Sequence, residues 1–305
     1  MKVLVTGGAG FIGSHIVHLL VKEGHQVVVL DDLSTGLVDH IHPHAAFVRM
    51  DVRSSAVADL FRREMFDAVI HQAAQTLVPK SLDNPHFDAD VNIMGSLAIL
   101  EACRLTDVGR IVFASSAAVY GDTECIPVDE TAAVRPFSFY GLSKLTVEKY
   151  LALYHELYGL KYAALRYSNV YGERQGEGGE GGVVSIFTRL LRTGSSLTVF
   201  GNGEQTRDFI YAGDVAAANV AALSTDCPSG VYNISTQSET SVNQLILHLA
   251  HVSGCEPQVV YQPAREGDIY RSSLANGKAV AKLGWQPRMP LANGLARTYQ
   301  SLIQK

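Results

Sequence analysis

The sequence has little of what marks several classes of protein. Its 4 cysteines lie far apart without a Cys-x-x-Cys pair, and its 11 histidines show no metal-ligand spacing, so neither disulfides nor a metal site is expected. No apolar run approaches the roughly 20 residues of a membrane span, and no signal peptide is evident at the start. The net charge of −5 argues against nucleic acid as the main partner. We therefore expect a cytoplasmic protein that binds neither membranes nor nucleic acid.

What the chain does have is a large apolar fraction arranged in alternating patterns. Apolar residues make up 47% of the 305 residues and charged residues 18%, which is enough for a sizeable core. Continuous Val/Ile-rich runs alternate with helical stretches, a pattern typical of a parallel sheet covered on both faces. The predicted strands are Lys2–Gly7, Gln26–Asp32, Ala45–Asp51, Asp67–Ala74, Arg110–Ser116 and Lys161–Val170. The predicted helices are Phe11–Glu23, Ser55–Glu64, Asp83–Leu105 and Tyr140–Tyr158.

A glycine-rich turn connects the first predicted strand to the first predicted helix. Gly7, Gly8, Gly10 and Gly13 satisfy both G-x-G-x-x-G and G-x-x-G-x-x-G, a spacing that permits close approach of a pyrophosphate to the helix N-terminus. Asp31 follows Gly13 by 18 residues, where a carboxylate accepts hydrogen bonds from an adenosine ribose and repels a 2′-phosphate. The pattern favours NAD over NADP. The alternative is that the glycines only form a tight turn and that Asp31 caps a loop.

Tyr140 and Lys144 form a Tyr-x-x-x-Lys run about 25 residues after the pair Ser115 and Ser116. Positions i and i+4 of a helix share a face, so Lys144 is expected beside the Tyr140 phenol. A positive charge about 4 Å from the phenol is worth about 4 kcal/mol at an effective dielectric near 20. That would lower the phenol pKa by roughly three units and make Tyr140 an acid–base group near pH 7. With 13 tyrosines, a Tyr-x-x-x-Lys run that arises by chance is about as probable as none at all. Whether this run indicates catalysis therefore depends on the motifs that precede it.

Taken in order, these motifs resemble the extended short-chain dehydrogenase/reductase family over essentially the whole chain. The motifs are Thr6–Gly13, Asp31–Gly36, Asp51–Val52, His71–Ala74, Asn92, Ser115–Gly121, Tyr140-x-x-x-Lys144, Arg166–Gly172, Gly203–Phe209 and Arg265–Asp268. The resemblance implies an α/β protein with a Rossmann, doubly wound parallel sheet and a smaller C-terminal α/β substrate domain. It places the NAD-binding domain at residues 1–168 and 209–235, and the nucleotide-sugar domain at 169–208 and 236–305. A flexible loop is expected at Gly176–Gly182.

The resemblance also implies which residues contact NAD. They are Gly7, Gly10, Phe11, Ile12, Gly13, Asp31, Asp32, Ser34, Thr35, Gly36, Asp51, Val52, Ala73, Ala74, Gln75, Asn92, Tyr140 and Lys144.

Ala117 and Ala118 stand where dehydratases and decarboxylases of this family carry acidic residues. Neither alanine can move a proton, so the chain resembles the nucleotide-sugar 4-epimerases, which need one proton shuttle. In such enzymes Tyr140 would remove the proton of the sugar 4-hydroxyl while a hydride passes from C4 to NAD, and the 4-keto sugar would turn before the hydride returns to its other face. Ser116 is implied to relay the proton. Lys144 is implied to hold the nicotinamide ribose and lower the pKa of Tyr140.

The substrate implied by the resemblance is a UDP-hexose. The implied contacts are Ser115, Ser116, Asn169, Phe200, Arg207, Arg265, Asp268 and Ser272. Arg207 and Arg265 suit a diphosphate, although a surface ion pair is the alternative for either. Ser272 stands where hexose-restricted epimerases carry a tyrosine. The small residue therefore predicts that UDP-N-acetylglucosamine and UDP-N-acetylgalactosamine are accepted as well as UDP-glucose and UDP-galactose.

Two other functions stay open at this point: a different NAD-dependent enzyme, such as a UDP-glucuronate epimerase or a nucleotide-sugar reductase, and a dinucleotide sensor without catalysis. The resemblance further implies a homodimer that pairs the helices at Asp83–Leu105 and Tyr140–Tyr158. Leu145, Leu151 and Tyr154 then either form its apolar surface or face the sheet.

Overall fold

The computed structural model describes residues 1–123, 125–176, 181–265 and 269–303. Asp268 and most of the predicted loop Gly176–Gly182 lie outside these ranges. Within them, no helix is long and apolar enough to cross a bilayer.

Strands and helices alternate through the first two thirds of the chain, as predicted. The strands are β1 (Lys2–Thr6), β2 (Gln26–Asp31), β3 (Ala46–Arg49), β4 (Ala68–His71), β5 (Arg110–Ser116), β6 (Lys161–Tyr167), β7 (Asn169–Tyr171), β8 (Leu197–Phe200), β9 (Thr206–Arg207), β10 (Phe209–Tyr211), β11 (Gly230–Ile234), β12 (Thr240–Ser241) and β13 (Val259–Gln262). The α-helices are α1 (Phe11–Lys22), α2 (Val57–Glu64), α3 (Val78–Asp83), α4 (Pro85–Ala89), α5 (Gly95–Leu105), α6 (Phe139–Tyr158), α7 (Val183–Arg192), α8 (Ala212–Ala221), α9 (Val242–Ser253), α10 (Gly277–Leu283) and α11 (Leu291–Ile303).

The central sheet has seven parallel strands in the order β11-β6-β5-β4-β1-β2-β3. The chain therefore runs outward from β1 in both directions, which confirms the doubly wound Rossmann fold. In such sheets, ligands bind outside the carboxyl ends of the strands where the order reverses. Here that place lies beyond Thr6 and His71, which are paired in register at the ends of β1 and β4.

All six predicted strands take part in this sheet, but the last of them was predicted too long. It ends at Tyr167, and β7 instead pairs with β10 in a separate two-stranded sheet. The seventh strand of the sheet, β11, was not predicted. Its sequence, Gly-Val-Tyr-Asn-Ile, begins with a glycine and is interrupted by the polar Asn233, so it lacks the continuous apolar run that identifies a buried strand.

The single helix predicted at Asp83–Leu105 was wrong in detail. The chain breaks at Asn84, whose Oδ1 accepts the Phe87 N–H at 3.0 Å and caps a new start at Pro85. A π-helical turn, Asp90–Met94, then joins α4 to α5. The break arises because a proline has no N–H to continue the preceding helix.

Each face of the sheet is covered by an apolar cluster. Ile16 and Leu20 of α1 pack on one face, and α2, α5 and α6 cover the other. Leu151 and Tyr154 belong to the second cluster, and Leu145 packs near Val119 in a smaller one. Leu151 and Tyr154 therefore face the sheet, whereas Leu145 is half-buried and packs away from it.

The second lobe has its own apolar core, built mainly from α7, α9 and α11. Asp208, which is fully buried, ties this lobe to the sheet. Its Oδ1 accepts the N–H and the hydroxyl of Thr236 at 2.9 and 2.7 Å, just after β11. Its Oδ2 accepts the N–H groups of Gln237 and Leu274 at 3.0 and 3.3 Å. The neighbouring Arg207 is thereby held at a fixed place relative to the sheet.

Candidate active site

The glycine turn brings three segments into contact at the carboxyl edge of the sheet. Gly7 has a φ of +67°, and a Cβ there would lie 2.7 Å from the Ala73 nitrogen. A Cβ on Gly13 would lie 2.1 Å from the Gly7 oxygen. Helix α1 begins after Gly10, and no side chain caps its first N–H groups. The open helix start therefore suits an anion such as a pyrophosphate, and the cradle fits NAD.

Asp31 lies directly behind this turn. Its Oδ2 accepts the Ala9 N–H at 2.9 Å, and its Oδ1 accepts the Leu33 N–H at 2.9 Å. Burial raises the pKa of Asp31, and these two N–H groups act in the opposite direction. Because a carboxylate offers about four acceptor sites, it keeps capacity for ribose hydroxyls.

The other residues predicted to contact NAD border the same edge. Asp32, Ser34 and Thr35 are exposed on the loop after β2, where Asp32 Oδ1 accepts the Ser34 N–H at 2.9 Å. The Asp51 carboxylate pairs with Arg53. The remaining ones are more enclosed: Phe11, Ile12, Ala73 and Ala74 are half-buried, whereas Gly36 and Val52 are buried.

Gln75 and Asn92, also predicted to contact NAD, bind each other. Asn92 Oδ1 accepts the Gln75 N–H at 2.8 Å, and Asn92 Nδ2 donates to the Gln75 carbonyl at 3.0 Å. The same Nδ2 lies 3.1 Å from Asp88 Oδ1 and 3.1 Å from Ser143 Oγ. Asn92 is thus a buried bridge from the segment after β4 to α4 and α6.

The start of α6 lies against the turn that follows β5. Ser138 Oγ accepts the Gly141 N–H at 3.1 Å and caps the helix. A Cβ on Gly141 would lie 2.5 Å from the Ala118 oxygen, so glycine permits this close approach. As a result the Ser116 hydroxyl lies near the Tyr140 phenol, while Ser116 Oγ accepts the Ala118 N–H at 3.1 Å.

The pKa of Tyr140 differs from the expectation. Burial raises it above its ordinary value, the nearby Ser116 hydroxyl lowers it, and the negative charge of Asp88 raises it further. The prediction that Lys144 brings this pKa close to neutrality was therefore wrong for the chain by itself. Lys144 Nζ lies 5.8 Å from the centroid of the Tyr140 ring, and burial has the larger effect.

Lys144 is 3% exposed, and its Nζ lies 4.9 Å from the centroid of the Phe113 ring. Burial lowers its pKa to about 8, against the opposing attraction of Asp88. At neutral pH the Lys144 side chain is therefore mostly an ammonium.

Ser115 points into a buried ion pair rather than an open pocket. Its Oγ donates to Glu148 Oε1 at 2.6 Å, and Arg166 Nη2 donates to Glu148 Oε2 at 2.6 Å. The Arg166 guanidinium also lies 4.7 Å from the centroid of the Tyr120 ring. Sequence reasoning missed Glu148, although its position four residues after Lys144 places it on the same helix face.

A cavity of about 280 Å³ opens in the second lobe. Phe200 and Arg265, both predicted to contact substrate, lie together in its wall with the guanidinium 3.7 Å from the ring centroid. The wall is completed by Gly201, Asn202, Gln205, Ala264, Ile269 and Tyr270.

Three further predicted substrate contacts, Asn169, Arg207 and Ser272, lie around Asp208 rather than in the cavity wall. Arg207 Nη1 donates to the Thr206 carbonyl at 2.8 Å. Asn169 is exposed at the start of β7, where its N–H donates to the Asp208 carbonyl at 2.9 Å. Ser272 is half-buried and precedes Ser273, whose Oγ donates to Asp208 Oδ2 at 3.3 Å. Asp268 lies outside the described residues.

Known proteins resemble this chain over its full length. Residues 3–235 match the NAD dependent epimerase/dehydratase family. A putative UDP-glucose 4-epimerase of Methanocaldococcus jannaschii is 48% identical over 97% of this chain and 96% of its own length.

Solved structures of nucleotide-sugar 4-epimerases also superpose closely on this chain. The UDP-glucose 4-epimerase of Thermotoga maritima, crystallised with UDP-glucose, superposes with a TM-score of 0.96 at 40% identity, over 100% of this chain and 99% of its own. That of Thermus thermophilus, in complex with NAD, gives 0.93 at 41% identity, over 99% of each chain. A UDP-N-acetylglucosamine 4-epimerase of Methanobrevibacter ruminantium, in complex with UDP-N-acetylmuramic acid, gives 0.95 at 33% identity, over 99% of this chain and 98% of its own. The chain therefore belongs to the NAD dependent epimerase/dehydratase family.

Proposed function

We propose that this protein is a UDP-hexose 4-epimerase that interconverts UDP-glucose and UDP-galactose with tightly bound NAD. The observation that carries the proposal is that Ser116, the Tyr140 phenol and the Lys144 ammonium lie close together. Ser116 ends β5, and Tyr140 and Lys144 lie in the first turns of α6, at the sheet edge that also carries the glycine turn. Related enzymes that act on UDP-glucose support the same assignment.

The chain's own residues would hold NAD in a defined way. The N–H groups at the open start of α1 would bind the pyrophosphate, and Asp31 would bind the adenosine ribose. Lys144 would hold the nicotinamide ribose. When bound, NAD would supply a hydride acceptor for the sugar C4 and a positive ring charge.

Tyr140 would move the proton. Its phenol would first release its own proton to solvent, and the phenolate oxygen beside the Lys144 ammonium would then take the proton of the sugar 4-hydroxyl and give it back when the 4-keto group is reduced. The Ser116 hydroxyl, which lies near this phenol, would hold the sugar 4-oxygen and relay the proton. Ala117 and Ala118 supply no second acid, so the sugar keeps its other hydroxyl groups and no water is eliminated.

The UDP part of the substrate would lie in the second lobe. Arg265 and Arg207 offer guanidinium groups for the diphosphate, and Phe200 offers a ring for the uracil. We further propose that N-acetylated UDP-hexoses are accepted, because Ser272 leaves room beside the sugar 2-substituent. The similarity to the Methanobrevibacter ruminantium enzyme supports this extension.

We also propose a homodimer formed through α5 and α6. Leu142, Leu153 and Leu157 of α6 are 48%, 49% and 67% exposed, although leucine usually lies in the interior. They share one face of the helix, because they are separated by 11 and 4 residues. An exposed apolar face of this kind typically marks a protein interface. A cytoplasmic location is proposed as well, supported by four cysteines that are all free thiols.

The test of the proposed function has two parts. NAD is first assayed after heat denaturation of the purified protein, and about one molecule per chain is expected. The native protein is then incubated with UDP-galactose, and UDP-glucose should appear until equilibrium is reached. Retained NAD with conversion of UDP-glucuronate alone would favour a different enzyme on this fold. Absence of both NAD and turnover would favour a sensor.

A further inference from the structure

Asp88 on α4 is a buried acid that the proposed mechanism does not use. It is 1% exposed. Its Oδ1 accepts from Gln75 Nε2 at 2.9 Å and from Asn92 Nδ2 at 3.1 Å. Its Oδ2 is buried and has no hydrogen-bond partner in the part of the chain that the structure describes. A buried carboxylate oxygen without a donor is costly and calls for a compensating charge nearby.

Lys144 is the positively charged side chain on which Asp88 acts electrostatically. Helix α4 packs against α6, and Asn92 Nδ2, which donates to Asp88, also lies 3.1 Å from the hydroxyl of Ser143, next to Lys144. The negative charge of Asp88 raises the pKa of Lys144 and also that of Tyr140. One carboxylate therefore acts on both members of the Tyr-x-x-x-Lys run.

The other ionisable groups around this pair do not supply that charge. His71, at the end of β4, is held neutral because burial and the Lys144 charge lower its pKa to about 3. Glu148, on the next turn of α6, is already paired with Arg166 on β6. Tyr167, also on β6, has a pKa raised by burial and stays neutral.

We propose that Asp88 is a positioning residue of the active site: locked by Gln75 and Asn92, its buried charge keeps the Lys144 side chain an ammonium beside Tyr140. This inference rests on the proposed function for its effect on turnover. Asp88 touches neither the phenol nor the sugar in this account and acts through Lys144. Gln75 and Asn92, both predicted as NAD contacts, gain a second role because they fix the carboxylate in place.

The test is Asp88→Asn, which keeps an oxygen at Oδ1, replaces Oδ2 by an amide NH₂ and removes the charge. Both Lys144 and Tyr140 should then lose their protons at lower pH. The whole pH–activity curve is expected to move toward acid by on the order of one pH unit. The second readout is the titration of Lys144 in the NAD-loaded protein, followed by NMR of ¹³Cε-labelled lysine, and its midpoint should fall by a similar amount. Asp90→Asn is the matched control, since Asp90 is only half-buried and is paired with Arg53.

Failure of this proposal can be distinguished from failure of the proposed function. An Asp88→Asn variant with activity reduced equally at every pH, and with an unchanged Lys144 titration, would overturn the proposal. If this variant does not fold, ¹³Cγ NMR of Asp88 in the wild-type protein decides: an ionised carboxylate at pH 7 supports the proposal, and a protonated one overturns it. If the wild-type protein has no epimerase activity, the proposed function fails, whereas the Lys144 titration still tests Asp88.

Discussion

The Lys144 ammonium lies 5.8 Å from the centroid of the Tyr140 ring, one turn further along the same helix. The helix brings the two side chains onto one face, but burial still raises the pKa of the phenol. The ammonium is itself buried, and its own pKa is lowered to about 8. We therefore expect activity at alkaline pH to be limited by loss of the Lys144 charge.

Activity should fall as the pH rises through about 8. Below that value Lys144 carries its charge, and above it the amine is neutral, because burial has lowered its pKa to about 8 from 10.5. The measurement is the pH dependence of kcat/KM for UDP-galactose, which reports groups of the free enzyme. Lys144→Arg keeps its charge throughout, so its residual activity should show no loss in this range. Constant wild-type activity up to pH 10 would contradict the assignment.

Gly10→Ala should remove NAD from a protein that still folds. The added Cβ would lie 3.2 Å from the Gly7 oxygen and meets nothing else within 4 Å, so the turn tolerates it by a small shift. The methyl group would nevertheless occupy the start of α1, where the pyrophosphate is expected. The two measurements are the amount of NAD released on denaturation and the melting temperature of the variant. Gly277→Ala, in open space, is the control and should retain full NAD content.

Ser272→Tyr should lower turnover of UDP-N-acetylglucosamine by at least about tenfold and leave UDP-glucose turnover within a few-fold of wild type. The reason is steric, since forcing an extra group into a packed site costs about 1–3 kcal/mol. Rates with both substrates are compared in one assay, with Ser272→Ala as the control that keeps the space. An equal loss for both substrates would refute a role in selectivity.

Leu142→Glu combined with Leu153→Glu should convert the proposed dimer into monomers, because four like charges would be buried where the two copies meet. Light scattering after size exclusion should give about twice 33.0 kDa for wild type and 33.0 kDa for the variant. Leu247→Glu is the control, because Leu247 is 71% exposed on α9, away from this face. A dimeric double variant would exclude this interface.

Much of the fold could be predicted because its signals are local. Buried parallel strands are continuous Val/Ile runs, and six of them were recognised. Each start was within one residue of the one found, but the fourth and sixth were predicted three residues too long at the end. The break at Asn84 and the π-helical turn that follows α4 depend on capping and packing, which a period of 3.6 residues does not encode. The five residues of β11 are a strand only because β6 is beside them.

The candidate site also has parts that could be predicted from local sequence and parts that could not. The glycine spacing and the Tyr-x-x-x-Lys run are local, so Gly13, Tyr140 and Lys144 could be identified from the sequence. The pKa of Tyr140 could not, because the depth of burial is a property of the folded chain. Asp88 and Glu148 were missed for a related reason: each acts on a partner brought near by folding.

The measurement that tests the central claim most directly is the rate of Tyr140→Phe, because the phenol is proposed to carry the proton of the sugar 4-hydroxyl. Loss of a positioned acid–base group typically costs about 10²–10⁴-fold in rate. We expect kcat for UDP-galactose to fall by that amount, with NAD content and melting temperature close to wild type. A Tyr140→Phe enzyme that retains NAD and interconverts the two sugars at the wild-type rate would contradict the account.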